Sequence, residues 1–218
     1  MSTLSRPSFS DLSTDAGFSL IELMVTVSIM AILAAVAAPN LLQWVARNQV
    51  RTAAESLKND LSKASKAADR GTPVEFTLTN TVTTAANVGA VVPAANGTNW
   101  VVRYLPPLGP MQLVSAHNGN DGSAGVTVTG ANFQLEFVPT VIGDKVYANG
   151  LGAARVNLAA PGAIYQLSAT GTPTIRLCVY VDPGGAATVC DPTLNGVVGD
   201  PRQCTLPGGA GLTAVQCP

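Results

Sequence analysis

Few side chains in this sequence can do chemistry, and each is oddly placed. Glu22 is the one charge in a 21-residue apolar run, Phe18 to Ala38. His117 is the only histidine, set in His117-Asn118-Gly119-Asn120-Asp121-Gly122. Cys178, Cys190, Cys204 and Cys217 all fall in the last 41 residues. A carboxylate in an apolar helix costs several kcal/mol in hydrocarbon unless a cation meets it. Glu22 therefore either snorkels to the interface or, the sharper reading, meets a positive charge supplied by another chain. A cut between Gly17 and Phe18 would create such a charge, an amine four residues before Glu22. Within one helix that geometry is poor, and between two staggered helices it is good.

The remaining candidates are weaker. The cysteines are spaced by 12, 14 and 13 residues, not as the close pairs of a zinc or redox site. His117 and its Asn/Asp neighbours read as a surface turn, and their spacing is not that of a calcium loop. No Ser/His/Asp constellation, phosphate loop or dinucleotide fingerprint is present. The expectation is a non-enzymatic chain with no cofactor and no metal. Lys and Arg number 12 against 13 Asp and Glu, so no broad basic field exists to hold nucleic acid.

The elements that hold these residues follow from periodicity. At 1.5 Å per residue the 21-residue run spans roughly 31 Å, about the thickness of a bilayer core. It is longer than the apolar region of a secretory signal and runs on without a cleavage break. Pro39, lacking an N–H, is expected to kink the helix. Beyond it Leu42, Ala46, Val50, Ala53, Leu57, Leu61, Ala64 and Ala68 form an apolar stripe of helical spacing. Gly71 and Pro73 stop it.

From Pro73 the pattern changes to strands. Val74–Thr79, Trp100–Leu105, Val126–Thr129, Asn132–Val138 and Thr174–Val181 alternate, and Arg155–Leu158 and Ile164–Leu167 do so weakly. Residues 80–99 and 106–125 read as long surface loops. The plan is α+β: one long N-terminal transmembrane and amphipathic helix packed on an antiparallel sheet body. Its expected divisions are 1–17, 18–39, 40–70, a β-rich domain 71–190, and a Cys/Pro/Gly-rich tail 191–218.

Gly17-Phe18-Ser19-Leu20-Ile21-Glu22-Leu23-Met24-Val25 resembles the prepilin cleavage motif of type IV filaments, a family of pilins, minor pilins and type II secretion pseudopilins. The resemblance implies that a prepilin peptidase removes residues 1–17 as a leader and that the new amine of Phe18 is methylated. Glu22 would then neutralise a neighbour's amine during assembly, and Pro39 sits where pilins often carry a helix-distorting proline. It also implies a single pass through the bacterial inner membrane, contact with its lipid, a periplasmic C-terminal domain, and later packing among other pilins of the filament. The leader departs from the usual short basic type, since Arg6 is opposed by Asp11 and Asp15.

Arg70-Gly71-x-Pro73-Val74, the Phe137…Gly143 turn, and Ile175-Arg176-Leu177-Cys178-Val179 leading to Gly185 and Cys190 resemble the FimT/GspH-type minor pilins. That resemblance implies a minor pilin of a type IV pilus, active in pilus assembly or its tip complex. The alternatives are a type II secretion pseudopilin, or a tip adhesin or DNA-uptake minor pilin. Some FimT-like proteins bind DNA through a Gly-Arg-x-Arg element. The matching stretch is Gly185-Ala186-Ala187-Thr188-Val189-Cys190, where both arginine positions hold uncharged residues. Phosphate contacts need such cations, so no DNA binding is expected through that element.

In a periplasmic body disulfides are expected. Three pairings of the four cysteines exist. Neighbour pairing, Cys178–Cys190 and Cys204–Cys217, closes the shortest loops and is the expectation.

Overall fold

The computed structural model describes residues 17–139, 145–158, 162–170, 172–194, 200, 202–204 and 217. The leader before Gly17, the Gly143 turn and most of the tail 191–218 lie outside the described residues. The chain divides into two units, Met1–Leu42 and Gln43–Pro218.

Helix α1 runs from Leu20 to Ala68 and is assigned without interruption at Pro39. Arg70 N–H and Gly71 N–H donate to the carbonyls of Ala67 and Ala68, and Gly71 takes φ 89°, the left-handed conformation that closes a helix without a Cβ penalty. In the second unit, Val50, Ala53, Ala54, Leu57, Leu61, Ala64 and Ala68 are fully buried. The stripe read from the sequence is thus the packed face from Val50 onward. Its alanines let the backbone approach the strands closely.

Ten strands follow: β1 (Val74–Thr79), β2 (Asn96–Gly97), β3 (Asn99–Tyr104), β4 (Gln112–His117), β5 (Val126–Gly130), β6 (Gln134–Val138), β7 (Lys145–Tyr147), β8 (Ala163–Ala169), β9 (Thr172–Val181) and β10 (Ala187–Cys190). They form two antiparallel five-stranded sheets rather than one, in the orders β4-β3-β1-β6-β7 and β10-β9-β8-β5-β2. Phe76, Leu78, Trp100, Leu135 and Phe137 of the first sheet share one core with Val128, Tyr165, Leu167 and Val179 of the second and with the helix stripe. Phe76 and Tyr165 join the sheets edge to face, with centroids 5.4 Å apart. Tyr165 is wholly buried, which pushes its hydroxyl well above the ordinary tyrosine range, and it donates to Asn132 O at 2.6 Å. Gly130 opposes it in register, where a Cβ would come within 2.6 Å of the Tyr165 ring.

One loop expectation is corrected and one refined. Residues 106–125 contain β4, which pairs with β3. Residues 80–95 form a mostly exposed loop, as expected, that also covers part of the sheet. They carry a 3-10 turn, Val88–Ala90, and fold over the second face of β1–β3, burying Val88, Val91 and Val101 together. Every residue of β1 is therefore buried, its polar face included. Glu75 on that face accepts from Arg103 Nε at 2.9 Å and Nη2 at 2.6 Å, from Leu151 N–H at 2.6 Å, and from the Thr77 hydroxyl. Arg155–Leu158, expected as a weak strand, contributes one bridge, Asn157 to Tyr147, and is tied to the sheet by Arg155 on buried Glu136.

The disulfide expectation is also corrected. Cys178 pairs with Cys217 (Cα–Cα 6.5 Å) and Cys190 with Cys204 (4.9 Å). The expected partners Cys178 and Cys190 are register neighbours on β9 and β10. The tail returns beside β10 through a parallel bridge between Asp191 and Gln203, and this carries Cys204 to Cys190. Topology, not loop length, sets the pairing. Replacing Cys178 and Cys217 with alanine is expected to cost about 2–5 kcal/mol. Unreduced peptide mapping should recover a 178–217 crosslink, and recovery of 178–190 instead would contradict the nested arrangement.

Candidate assembly site

The first unit presents Gly17 and Phe18 outside any helix, with Phe18 81% exposed. Leu23 N–H donates to Ser19 O at 3.1 Å, so helical bonding begins one residue after Phe18. An exposed peptide bond outside the helix, between Gly17 and Phe18, is what a peptidase cleft can take.

From Leu20 to Val36 the large apolar side chains are exposed, from 50% at Val25 to 84% at Leu20. An 18-residue window of this helix reaches a mean hydropathy of 2.4 with none of it buried. Length and composition allow such a helix to cross a membrane. Its hydroxyls are already satisfied: Thr26 Oγ1 donates to Leu23 O at 2.9 Å and Ser28 Oγ to Met24 O at 2.7 Å. Such back-bonding lets polar side chains sit in hydrocarbon. Glu22 differs. Ser19-Leu20-Ile21-Glu22 has the spacing of a capping box, yet among the described residues the Glu22 carboxylate accepts no hydrogen bond and forms no ion pair. The helix N-terminus favours a negative charge there, but it supplies no counter-ion.

Other predicted positions fall elsewhere. Gly185 takes φ 90° in the turn between β9 and β10, where Asp182 Oδ1 accepts from Ala186 N–H at 2.9 Å. Thr188 lies exposed on β10 with no cation beside it in the strand. Arg176 and Arg202, scattered in sequence, line one cavity of about 550 Å³ together with Arg47 and Arg51. The i,i+4 spacing of Arg47 and Arg51 was a readable signal for one shared face. The return of the tail beside β10, which brings Arg202 to the Arg176 side of β9, was not.

His117 corrects the surface-turn reading. It ends β4, is 6% exposed, and stacks on Trp100 with centroids 3.9 Å apart. Ser56 Oγ lies 3.3 Å from its Nδ1 and Ser123 Oγ 2.7 Å from its Nε2. Beside it, buried Asp60 accepts from Trp100 Nε1 at 2.9 Å and Ser115 Oγ at 2.7 Å. The network pins the helix to β3 and β4. Burial holds the imidazole below its ordinary pKa, against the opposing fields of Asp121 and Asp60. The folded chain therefore binds this proton more weakly than the unfolded chain does. Stability is full above the unfolded value of about 6.5 and falls as pH drops through it. Denaturant midpoints of the full chain in detergent should decrease from pH 7.5 to 5.5, and His117→Phe should flatten that slope. An equal slope in both proteins would exclude His117 as its source.

Among the described residues no group of three or more His, Cys, Asp or Glu is placed to hold a metal. Residues 12–38 match the prokaryotic N-terminal methylation motif. No curated protein and no solved structure matches the chain. A type IV pilin-like signal is thus present at the N-terminus, and it supports a pilin-like or pseudopilin protein, processed by a prepilin peptidase and working among pilins. The motif and the apolar helix are consistent with an inner-membrane anchor.

Proposed function

We propose that the chain is a minor pilin subunit of a type IV pilus, of the FimT/GspH type, with a structural role in pilus assembly or the tip complex. The observation that carries this is a carboxylate with no partner among the described residues, on an exposed apolar helix, five residues after Gly17 inside a methylation motif. Cleavage after Gly17 would free the Phe18 amine, and methylation would keep it cationic. The segment Phe18 to Ala38 would anchor the subunit in the inner membrane and then leave it to pack in the filament core. Glu22 would pair with the Phe18 amine of a neighbouring subunit and set the stagger between them. The body beyond the helix would face the periplasm. With the Gly-Arg-x-Arg positions held by Ala186 and Thr188, DNA capture through that turn forms no part of the role.

Peptidase dependence tests this. Expressed with a prepilin peptidase, the chain should shorten by its first 17 residues, and Gly17→Leu should block the shortening by filling the cleavage position with bulk. A chain of unchanged length in both cases would overturn the proposal. A pseudopilin would be processed in the same way, and is told apart by recovery with a secretion machine rather than with pili.

A further inference from the structure

The cavity of about 550 Å³ in the second unit is lined by four arginines, Arg47, Arg51, Arg176 and Arg202, and two carboxylates, Glu55 and Asp191. Arg202 is committed to Asp200, at 2.9 Å. The guanidinium groups of Arg47, Arg51 and Arg176 form no ion pair or hydrogen bond with any described residue. Glu55 stands four residues from Arg51 and likewise makes no ion pair among the described residues. Three like charges facing one concavity repel each other, and the apolar part of its wall, Val50 and Val189 among it, weakens the screening that solvent would give.

We infer that this cavity binds a phosphate group. Guanidinium forks match phosphate oxygens bidentately, which a lone carboxylate ligand would only half use. The volume lies within the roughly 300–1,000 Å³ of ordinary small-ligand sites. A duplex instead needs an extended track of cations, and here two acidic side chains interrupt the lining. The phosphate has two sources of the same chemistry, a free phosphate and the headgroup of an anionic phospholipid. Arg47 follows the end of the apolar run at Ala38 by nine residues, which keeps the second source in play.

The test uses the full-length chain in a non-ionic detergent, titrated calorimetrically with inorganic phosphate and, separately, with micelles carrying phosphatidylglycerol. Saturable binding of at least one probe is expected. It should weaken at least tenfold in Arg51→Gln/Arg176→Gln and tighten in Glu55→Gln, which removes a like charge from the ligand's surroundings. Stronger binding of phosphatidylglycerol assigns the headgroup as the source, and equal or stronger binding of inorganic phosphate assigns the free ion. If the double variant fails to fold, Glu55→Gln decides alone, and unchanged or weaker affinity there overturns the inference. So does the failure of both probes to bind, unchanged affinity in a folded double variant, or a duplex oligonucleotide that binds more tightly than either. None of these outcomes depends on leader cleavage or filament entry, so the site and the pilin reading stand or fall separately.

Discussion

Glu22→Val is expected to leave the chain in the membrane while nearly emptying the filament of it. Insertion should not suffer, because the substitution removes the one charge from the run Phe18 to Ala38 and adds an apolar side chain. Assembly should suffer for the opposite reason. In the filament core the neighbour's Phe18 amine would lose its counter-ion, and breaking one side of a buried ion pair costs about 3–5 kcal/mol. Even the lower figure exceeds a hundredfold in an equilibrium constant, so a drop of at least tenfold in sheared filaments is a conservative reading. Thr26 and Ser28 bond back to the helix carbonyls and give a matched control: replacing either with alanine should change incorporation little. Equal recovery of wild type and Glu22→Val from filaments, at equal membrane levels, would sink the role assigned to the carboxylate.

Arg103→Leu is expected to be the most destabilising single change in the globular unit. Arg103 and Glu75 are both buried, with side chains 7% and 2% exposed. Glu75 would keep the Leu151 N–H and the Thr77 hydroxyl but lose its cation, and Val88 O would lose the donor that reaches it at 2.7 Å. A buried charge stripped of its partner costs about 3–5 kcal/mol, a large share of the 5–15 kcal/mol typical of a domain. The double variant Glu75→Leu/Arg103→Leu should recover much of the loss, since an apolar pair of similar volume often replaces a buried ion pair at little cost. Urea denaturation of the full chain in detergent measures both. A single variant within 1 kcal/mol of wild type would show that the pair is solvated.

Much of this architecture was legible, for identifiable reasons. The helical stripe was visible because alanine and leucine recur at 3- and 4-residue steps, and Val50 to Ala68 are buried as that period requires. β1, β3, β5, β6 and β9 were visible because β-branched and aromatic residues alternate in them. Gln112–His117 was not, because its outer residues are polar or small and it stands between glycine- and proline-rich turns. Pairing with β3 makes it a strand. The same neighbour explains His117, whose burial comes from Trp100 across the strand pair and from Ser56 on the helix, contacts 17 and 61 residues away in sequence. The cysteine pairing was hidden because loop entropy favours near neighbours while the returning tail brings Cys204 and Cys217 to the sheet. Of the assembly site, the lone charge in the apolar run was plain from residue type and position, and the motif from its resemblance to the prepilin cleavage motif. The absence of any partner for Glu22 within the described residues needed coordinates.

The most direct measurement of the filament role is the intact mass, with N-terminal fragmentation, of the chain recovered from sheared filaments. The pilin reading predicts a chain that begins at Phe18, carries one added methyl on its amine, and contains both disulfides. A chain absent from filaments, or found only in the membrane with residues 1–17 still attached, would contradict it.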